Sequence, residues 1–457
     1  MRRSLKKYSD PRLFAPRNLM KIVLVIHGYP MRYNAGSEVY TQALAQALAH
    51  RHEAHVFSRQ QNKFVPDYTL HKEVDPTDPR VVLHIINLPQ SLDQYRHEAV
   101  DEHFGSLMDH IQPDLVHIGH LNHLSTSLVF EAHKRAIPLV FTLHDFWLMC
   151  PRGQFLQIRP KDGIDLWPLC GGQDDRTCAR RCYARYFSGA CDEEEADMAY
   201  WTHWVQRRMA HIRKVCAAID LFIAPSRTLL HRFRDEFGLP DDKLVYLDYG
   251  FRRELLQGRL RAAGEPFTFT YIGTHVPAKG VHHLLEAFGR LCGQPRLHIW
   301  GRPLGAETDS LHAFLQTLPE EVQTRICWMG EYHNTDIVQQ VFNHCDVIVV
   351  PSIWLENSPL VIHEALQARV PVITANAGGM AEYIQHEVNG LLFTHRNPVA
   401  LAEQMQRLVQ DPAFAQRLGE RGYLDAVDGN VPAMSAHLQD LERLYEQVCK
   451  NRKERVH

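Results

Sequence analysis

Apolar residues in this chain fall into short unbroken runs, separated by stretches in which they recur every three or four positions. The first run, Lys-Ile-Val-Leu-Val-Ile-His over 21–27, has the pattern of a strand buried on both faces of a parallel sheet. Between positions 37 and 49, Val39, Tyr40, Ala43, Leu44, Ala47 and Leu48 return at helical spacing, and a short strand is expected over 54–58. Further strands are expected over 81–88, 114–118, 138–144 and 221–224. Strands alternating with helices predict a parallel sheet covered on both faces.

The alternation lapses over about 150–200, a polar stretch rich in Gly, Arg and Cys that reads as an insertion in the first domain. It ends in an amphipathic helix over 201–219, with Trp204, Val205, Arg208, Met209, Ile212 and Val215 on one face. Alternation resumes with strands over 267–272, 297–300, 326–329, 347–350 and 371–374, and beyond 393 the chain reads as helical. The expected organisation is a tail over 1–20, a first domain over 21–250, a linker over 251–266 and a second domain over 267–430. A last helix over 431–457 is expected to pack back on the first domain.

A length of 457 residues favours two hydrophobic cores over one. The apolar fraction of 45% and charged fraction of 23% are those of a folded globular protein. Net charge is −3, which supplies no basic field for nucleic acid. The local exception is the N-terminus, where Arg2, Arg3, Lys6, Lys7, Arg12, Arg17 and Lys21 are opposed by Asp10. Such a tail is either solvated or drawn to anionic lipid at roughly 1 kcal/mol per basic residue, giving a peripheral membrane contact. The run over 22–26 is too short for a signal-peptide core, and nothing reaches the ~18 apolar residues of a membrane span, so a cytoplasmic location is expected.

The chemistry concentrates around Trp354-Leu-Glu-Asn-Ser-Pro-Leu-Val-Ile-His-Glu-Ala-Leu366. Pro359 fits the first turn of a helix opening near Asn357 to Pro359, which brings free N–H groups and a positive helix end to the sheet edge where phosphate binds. Glu356 would lie just outside that helix and Glu364 about two turns inside, two carboxylates suited to a sugar and to a ribose diol. By themselves they read more readily as a capping and a solvated glutamate. Three further loops join them: Ala377-Gly-Gly-Met-Ala-Glu382, whose paired glycines permit close approach to a ligand; Ile272-Gly-Thr-His-Val-Pro-Ala-Lys-Gly280; and Gly28 to Gly36.

Together these motifs resemble the retaining glycosyltransferases of family 4, of the bacterial surface-polysaccharide or glycolipid type. The resemblance implies an α/β protein of GT-B architecture, two Rossmann-like parallel-sheet domains facing a cleft, the first on the acceptor side and the second binding the nucleotide sugar. It further implies a nucleoside-diphosphate sugar as donor, a glycan or glycolipid acceptor, and no metal needed for catalysis. By that resemblance Glu364 binds the donor ribose, with Asn357, Ser358 and Leu360 contributing contacts from the helix start. Gly36 and Gly273 approach the donor phosphates, and Lys279 meets the diphosphate. Glu356 lies by the transferred sugar, His144 at the reaction centre and Ser226 near the cleft. Two departures stand out: Thr274 occupies the position of the family's usual Arg, for which Arg302 or His275 could substitute, and the paired glycine of the first domain is reduced to Ala35-Gly36. Rival readings are another GT-B enzyme, such as a sugar-nucleotide epimerase, and a non-catalytic sugar- or nucleotide-binding protein.

Cys150, Cys170, Cys178 and Cys182 form a candidate quartet for a structural zinc that would hold the insertion together, with free thiols or a disulfide as the alternatives. Cys216, Cys292, Cys327 and Cys345 read as packing residues.

Overall fold

Two parallel sheets organise the chain in a computed structural model that describes residues 19–30, 32–88, 95–158, 167–184 and 195–456. The first has eight strands in the spatial order Leu70–Val74, Val82–Asn87, Glu53–Gln60, Lys21–Val25, Leu115–Ile118, Leu139–Thr142, Leu221–Ala224, Leu244–Tyr246. The second has six, Ile326–Gly330, Arg296–Trp300, Thr268–Ile272, Val347–Val350, Val372–Ala375, Gly390–Phe393, all parallel. Their unbroken apolar runs are explained by burial on both faces: Ile22, Val23, Leu24 and Val25 are all buried, as are Val347, Ile348, Val349 and Val350.

Three strands lie outside the sequence expectation, the shortest being Leu244–Tyr246 at one edge of the first sheet. Leu70–Val74 runs antiparallel along the edge of the first sheet, and its Lys72 and Glu73 dilute the apolar pattern while discouraging a further strand from pairing there. Gly390–Phe393 closes the far edge of the second sheet, where the residues beyond 393 begin the expected helices.

In each sheet the strand order reverses once. The reversal falls between Lys21–Val25 and Leu115–Ile118 in the first, and between Thr268–Ile272 and Val347–Val350 in the second. Open α/β sheets bind ligands in the crevice beyond the carboxyl ends of strands at such a reversal. Both crevices here open into one cleft.

The helix Met434–Val456 lies against the first sheet's helices and strands. Its buried Tyr445 hydroxyl sits 2.5 Å from His117 Nδ1, and its buried Glu442 meets Arg51 at 3.1 Å and His52 at 3.2 Å. Among the described residues no helix is long and apolar enough to cross a membrane, and the basic tail up to residue 18 lies outside them.

The cysteine quartet does not support the expected zinc. Cys150, Cys170, Cys178 and Cys182 do line one small cavity, but among the described residues no group of three or more His, Cys, Asp or Glu is arranged to hold a metal. Burial pushes the Cys178 thiol up to about 12 and the Cys182 thiol up to about 11, so both are protonated as they stand. Phe155, Leu156, Trp201 and Trp204 join Cys150 and Cys178 in a core continuous with the first sheet, so the segment is held by apolar packing. Cys191 lies outside the described residues. Of the four expected packing cysteines, Cys216 and Cys345 are buried, Cys327 is half-buried and Cys292 is exposed.

Candidate active site

The second-domain wall of the cleft is built on the loop after Val347–Val350. Its helix runs Leu360–Gln367 with Pro359 as the N-cap, so it opens at the end of the expected window, and Glu364 is its fifth residue, about one turn inside instead of two. Lys279 closes the short turn Pro277–Lys279. Gly280, at φ 71°, follows it, and a Cβ there would collide with the Pro351 carbonyl, so glycine is what lets this turn dock beside the Pro351–Ile353 loop. The docking sets Lys279 Nζ 2.7 Å from Glu356 Oε1, which also accepts the Ser352 hydroxyl at 2.6 Å. The half-buried Glu364 carboxylate lines the cleft and makes no hydrogen bond or ion pair among the described residues. Burial pushes its carboxyl up to about 7.

The paired glycines act differently from the expectation. Gly379 donates its N–H to the Glu356 carbonyl at 2.8 Å, and a Cβ on Gly379 would overlap the Asn357 carbonyl. Their missing side chains admit the chain's own Glu356-Asn357 backbone, not a ligand. Gly379→Ala is expected to cost at least about 1–3 kcal/mol of stability in urea unfolding, because that backbone must move.

On the first-domain wall, Gly36 begins the helix Gly36–Leu48 and faces Leu360 across the cleft, 3.5 Å from where its Cβ would be. His144 follows Leu139–Thr142; its Nδ1 is 2.6 Å from the Tyr249 hydroxyl, and its buried Nε2 has no partner among the described residues. Burial lowers the His144 pKa to about 3, with His120 adding to the effect. The cleft has a volume of about 480 Å³ and is lined by His144, Gly36, Gly273, Lys279, Glu356, Asn357, Ser358, Leu360 and Glu364. Thr274 and Arg302 also line it, whereas His275 is buried against Trp328. Arg302 is therefore the candidate replacement for the missing arginine.

Several residues near the site join the domains. Asn357 accepts the Ser226 hydroxyl at 2.6 Å and donates to the Leu143 carbonyl at 3.1 Å. Ser226 also caps the helix Arg227–Asp235 by accepting the Leu229 N–H. Glu382 spans the same junction, accepting the backbone N–H groups of Arg227 and Thr228 at 2.8 and 2.6 Å. Asp248, buried at the first domain's last strand end, takes the Tyr423 hydroxyl at 2.9 Å, His363 Nε2 at 3.1 Å and the Ser358 hydroxyl at 3.4 Å. Burial raises its pKa, but His363 and these hydrogen bonds outweigh that and hold it below the ordinary carboxylate range. A second cavity of about 620 Å³ lies behind this junction, lined by Asp248, Glu382, Arg227 and Tyr423: Asp248 accepts the Tyr423 hydroxyl, Glu382 accepts backbone N–H groups, and the Arg227 guanidinium stacks on the Tyr246 ring.

Two family models match end to end. "Glycosyltransferase Family 4" covers residues 34–251 and "Glycosyl transferases group 1" covers 252–425. The chain belongs to the GT-B glycosyltransferases. Among curated relatives, an uncharacterised glycosyltransferase of Methanocaldococcus jannaschii is 27% identical over 146 residues, 32% of this chain and 36% of that protein. The D-inositol 3-phosphate glycosyltransferase of Corynebacterium glutamicum is 29% identical over 189 residues, 40% of this chain and 43% of that protein. These matches span less than half of either relative. Solved structures share the fold over nearly the whole length. Anabaena HepE in complex with UDP and glucose aligns at TM-score 0.67 and 17% identity, covering 93% of this chain and 99% of that one. Sucrose-phosphate synthase from Thermosynechococcus elongatus aligns at TM-score 0.67 and 18% identity, covering 94% and 99%.

Asp248, Tyr249, His27, Glu38 and His120 are the residues of this region that sequence reading passed over. A signal existed for two of them: His27 and His120 each follow a central strand at the reversal of the first sheet.

Proposed function

We propose that this GT-B protein is a retaining glycosyltransferase that moves a hexose from a nucleoside-diphosphate sugar to an acceptor hydroxyl on a surface glycan or glycolipid. The observation that carries the reading is the joint placement of Lys279, Glu356 and an unpartnered Glu364 around the start of the helix Leu360–Gln367, across from His144. Glu364 suits a ribose diol, and the helix N–H groups and Lys279 suit the diphosphate, whose charge grows as the sugar leaves. The bond from the anomeric carbon to the diphosphate oxygen breaks, the acceptor oxygen bonds that carbon on the same face, and the acceptor proton passes to the departing phosphate. Glu356, fixed by Lys279 and Ser352, would sit beside the sugar, and His144, fixed by Tyr249, would bind it from the other wall. Anabaena HepE is solved in complex with UDP and glucose, with UDP and with UDP-glucose, which makes uridine diphosphate the first nucleotide to try. We place the protein on the cytoplasmic side, with the basic residues 2–21 as a contact for anionic lipid.

A ligand that binds only the folded state stabilises it, by about 2.7 kcal/mol at a hundredfold excess over its Kd. Thermal shift with uridine and guanosine diphosphates should therefore raise the melting temperature with one of them. Turnover of the corresponding nucleotide sugar should follow, read as nucleotide release. Binding without any turnover would favour a non-catalytic protein of the same fold.

A further inference from the structure

The cavity behind the domain junction is larger than the cleft, about 620 Å³ against about 480 Å³, and has the size of a small-molecule site. Three parts of the chain wall it. Arg227, Tyr246 and Asp248 come from the first domain, Glu382, Tyr423 and Asp425 from the second, and His437 and Asp440 from the helix Met434–Val456. Arg227 and Asp425 are exposed, so the cavity is open to solvent.

Three of its polar groups are unused. The Asp425 carboxylate and the Tyr246 hydroxyl make no hydrogen bond or ion pair among the described residues, and the Arg227 guanidinium makes only its stack on the Tyr246 ring, 4.5 Å from the centroid. Burial and then Asp248 push the Tyr246 phenol up, with Asp425 and Glu382 adding to the effect against Arg227, so Tyr246 remains a hydroxyl donor. A guanidinium and a phenol that donate beside a carboxylate that accepts form a set suited to neighbouring hydroxyls on one ring. Charge narrows the choice of ring. Asp440 pairs with Arg443 and Arg253 with Asp428, which leaves Asp248, Glu382 and Asp425 in the lining against Arg227. Burial lowers the His437 pKa to about 4, so that ring adds no positive charge at neutral pH. A phosphate or carboxylate would be repelled here. Among the described residues no three His, Cys, Asp or Glu are arranged to hold a metal ion.

The cavity and the cleft share a wall. Asp248 and Tyr383 line the cavity, and both bind the hydroxyl of Ser358, a lining residue of the cleft, at 3.4 and 3.0 Å. In the same arrangement the two sides of the cleft touch, with Asn334 donating to Asn34 at 3.0 Å. A molecule that fills the cavity bridges the domains from behind and so favours the arrangement in which the cleft is assembled.

We propose that this cavity is a second ligand site, separate from the cleft, that takes an uncharged sugar and, when filled, strengthens the grip of the cleft on the nucleotide. Only that coupling rests on the transferase reading above; the sugar site stands without it.

The test is titration calorimetry on the full chain with glucose, galactose, mannose and maltose, each with and without saturating UDP. Glucose 6-phosphate and glucosamine serve as the anionic and cationic counterparts. At least one neutral sugar should bind, and glucose 6-phosphate should bind at least about tenfold more weakly. Asp425→Ala and Tyr246→Phe should each weaken the sugar about fivefold or more while UDP alone binds as before. The sugar should tighten UDP about fivefold, and UDP should tighten the sugar by the same factor. No binding by any neutral sugar, binding as tight by glucose 6-phosphate or by glucosamine alone, or sugar binding indifferent to both substitutions would overturn the site. Sugar binding that both substitutions weaken but that leaves UDP affinity unchanged would overturn the coupling. If UDP does not bind, the transferase reading and the coupling fall, and the sugar titrations with the two variants still decide the site.

Discussion

With alanine at position 279, transfer should fall by about 10²–10³-fold in kcat, the loss typical of removing one group that stabilises charge developing in the transition state. The expectation rests on how few cations the cleft holds: Lys279 and Arg302 are those among its described lining residues, and Thr274 stands where the family carries an arginine. The charge growing on the diphosphate would thus fall to Lys279, Arg302 and the N–H groups of the helix Leu360–Gln367. Lys279→Ala also leaves Glu356, only 5% exposed, without its ion-pair partner, although the Ser352 hydroxyl still donates to it. Unpairing a fully buried charge costs about 3–5 kcal/mol, and because Lys279 is itself 33% exposed the loss here should be smaller. Urea unfolding should therefore show a protein that remains folded. Glu356→Ala should lose transfer as well, and near-normal turnover in both variants would remove these residues from the site.

The second large effect concerns pH. Glu364 has its carboxyl raised to about 7 by burial, so the unliganded protein gains a proton there as pH falls through neutrality. A ribose diol donates hydrogen bonds and so binds the ionised form. Nucleotide affinity should be flat above about pH 7 and weaken by up to about tenfold per pH unit below it. Glu364→Gln, which cannot ionise, should bind the nucleotide weakly and nearly independently of pH. Titration calorimetry with the nucleoside diphosphate between pH 5.5 and 8.5 reads both behaviours. Affinity that strengthens on acidification, or a wild-type profile kept by Glu364→Gln, would show that this carboxylate does not grip the ligand.

Much of the fold could be read from the chain because its strands are buried on both faces, and an apolar run such as 22–26 is a local signal. Leu70–Val74 escaped notice because an edge strand with Lys72 and Glu73 has no need of that signal. The donor-side residues were legible because Glu356, Glu364 and Lys279 lie in motifs anchored to a strand and a helix start. The glycines at 378 and 379 were correctly read as sites of close approach, but what approaches them is backbone from about twenty residues earlier, which no local pattern specifies. The same limit applies to the cysteines. Their gathering around one cavity could be anticipated from sequence, whereas the aromatic packing beside them depends on Trp201 and Trp204 folding back against the first sheet's core. Asp248 and Tyr249 carry no motif at all, since their partners lie between about 100 and 175 residues away.

Those two neighbours have a consequence for how the halves of the cleft keep time. Through Asp248 the backbone holds Ser358 and His363, and so the start of the helix aimed at the donor; through Tyr249 it holds the ring of His144 on the opposite wall. Consecutive residues of one segment thus touch both walls of the cleft, and a substitution that displaces the backbone at 248–249 should disturb the start of the donor-side helix and the ring of His144 together.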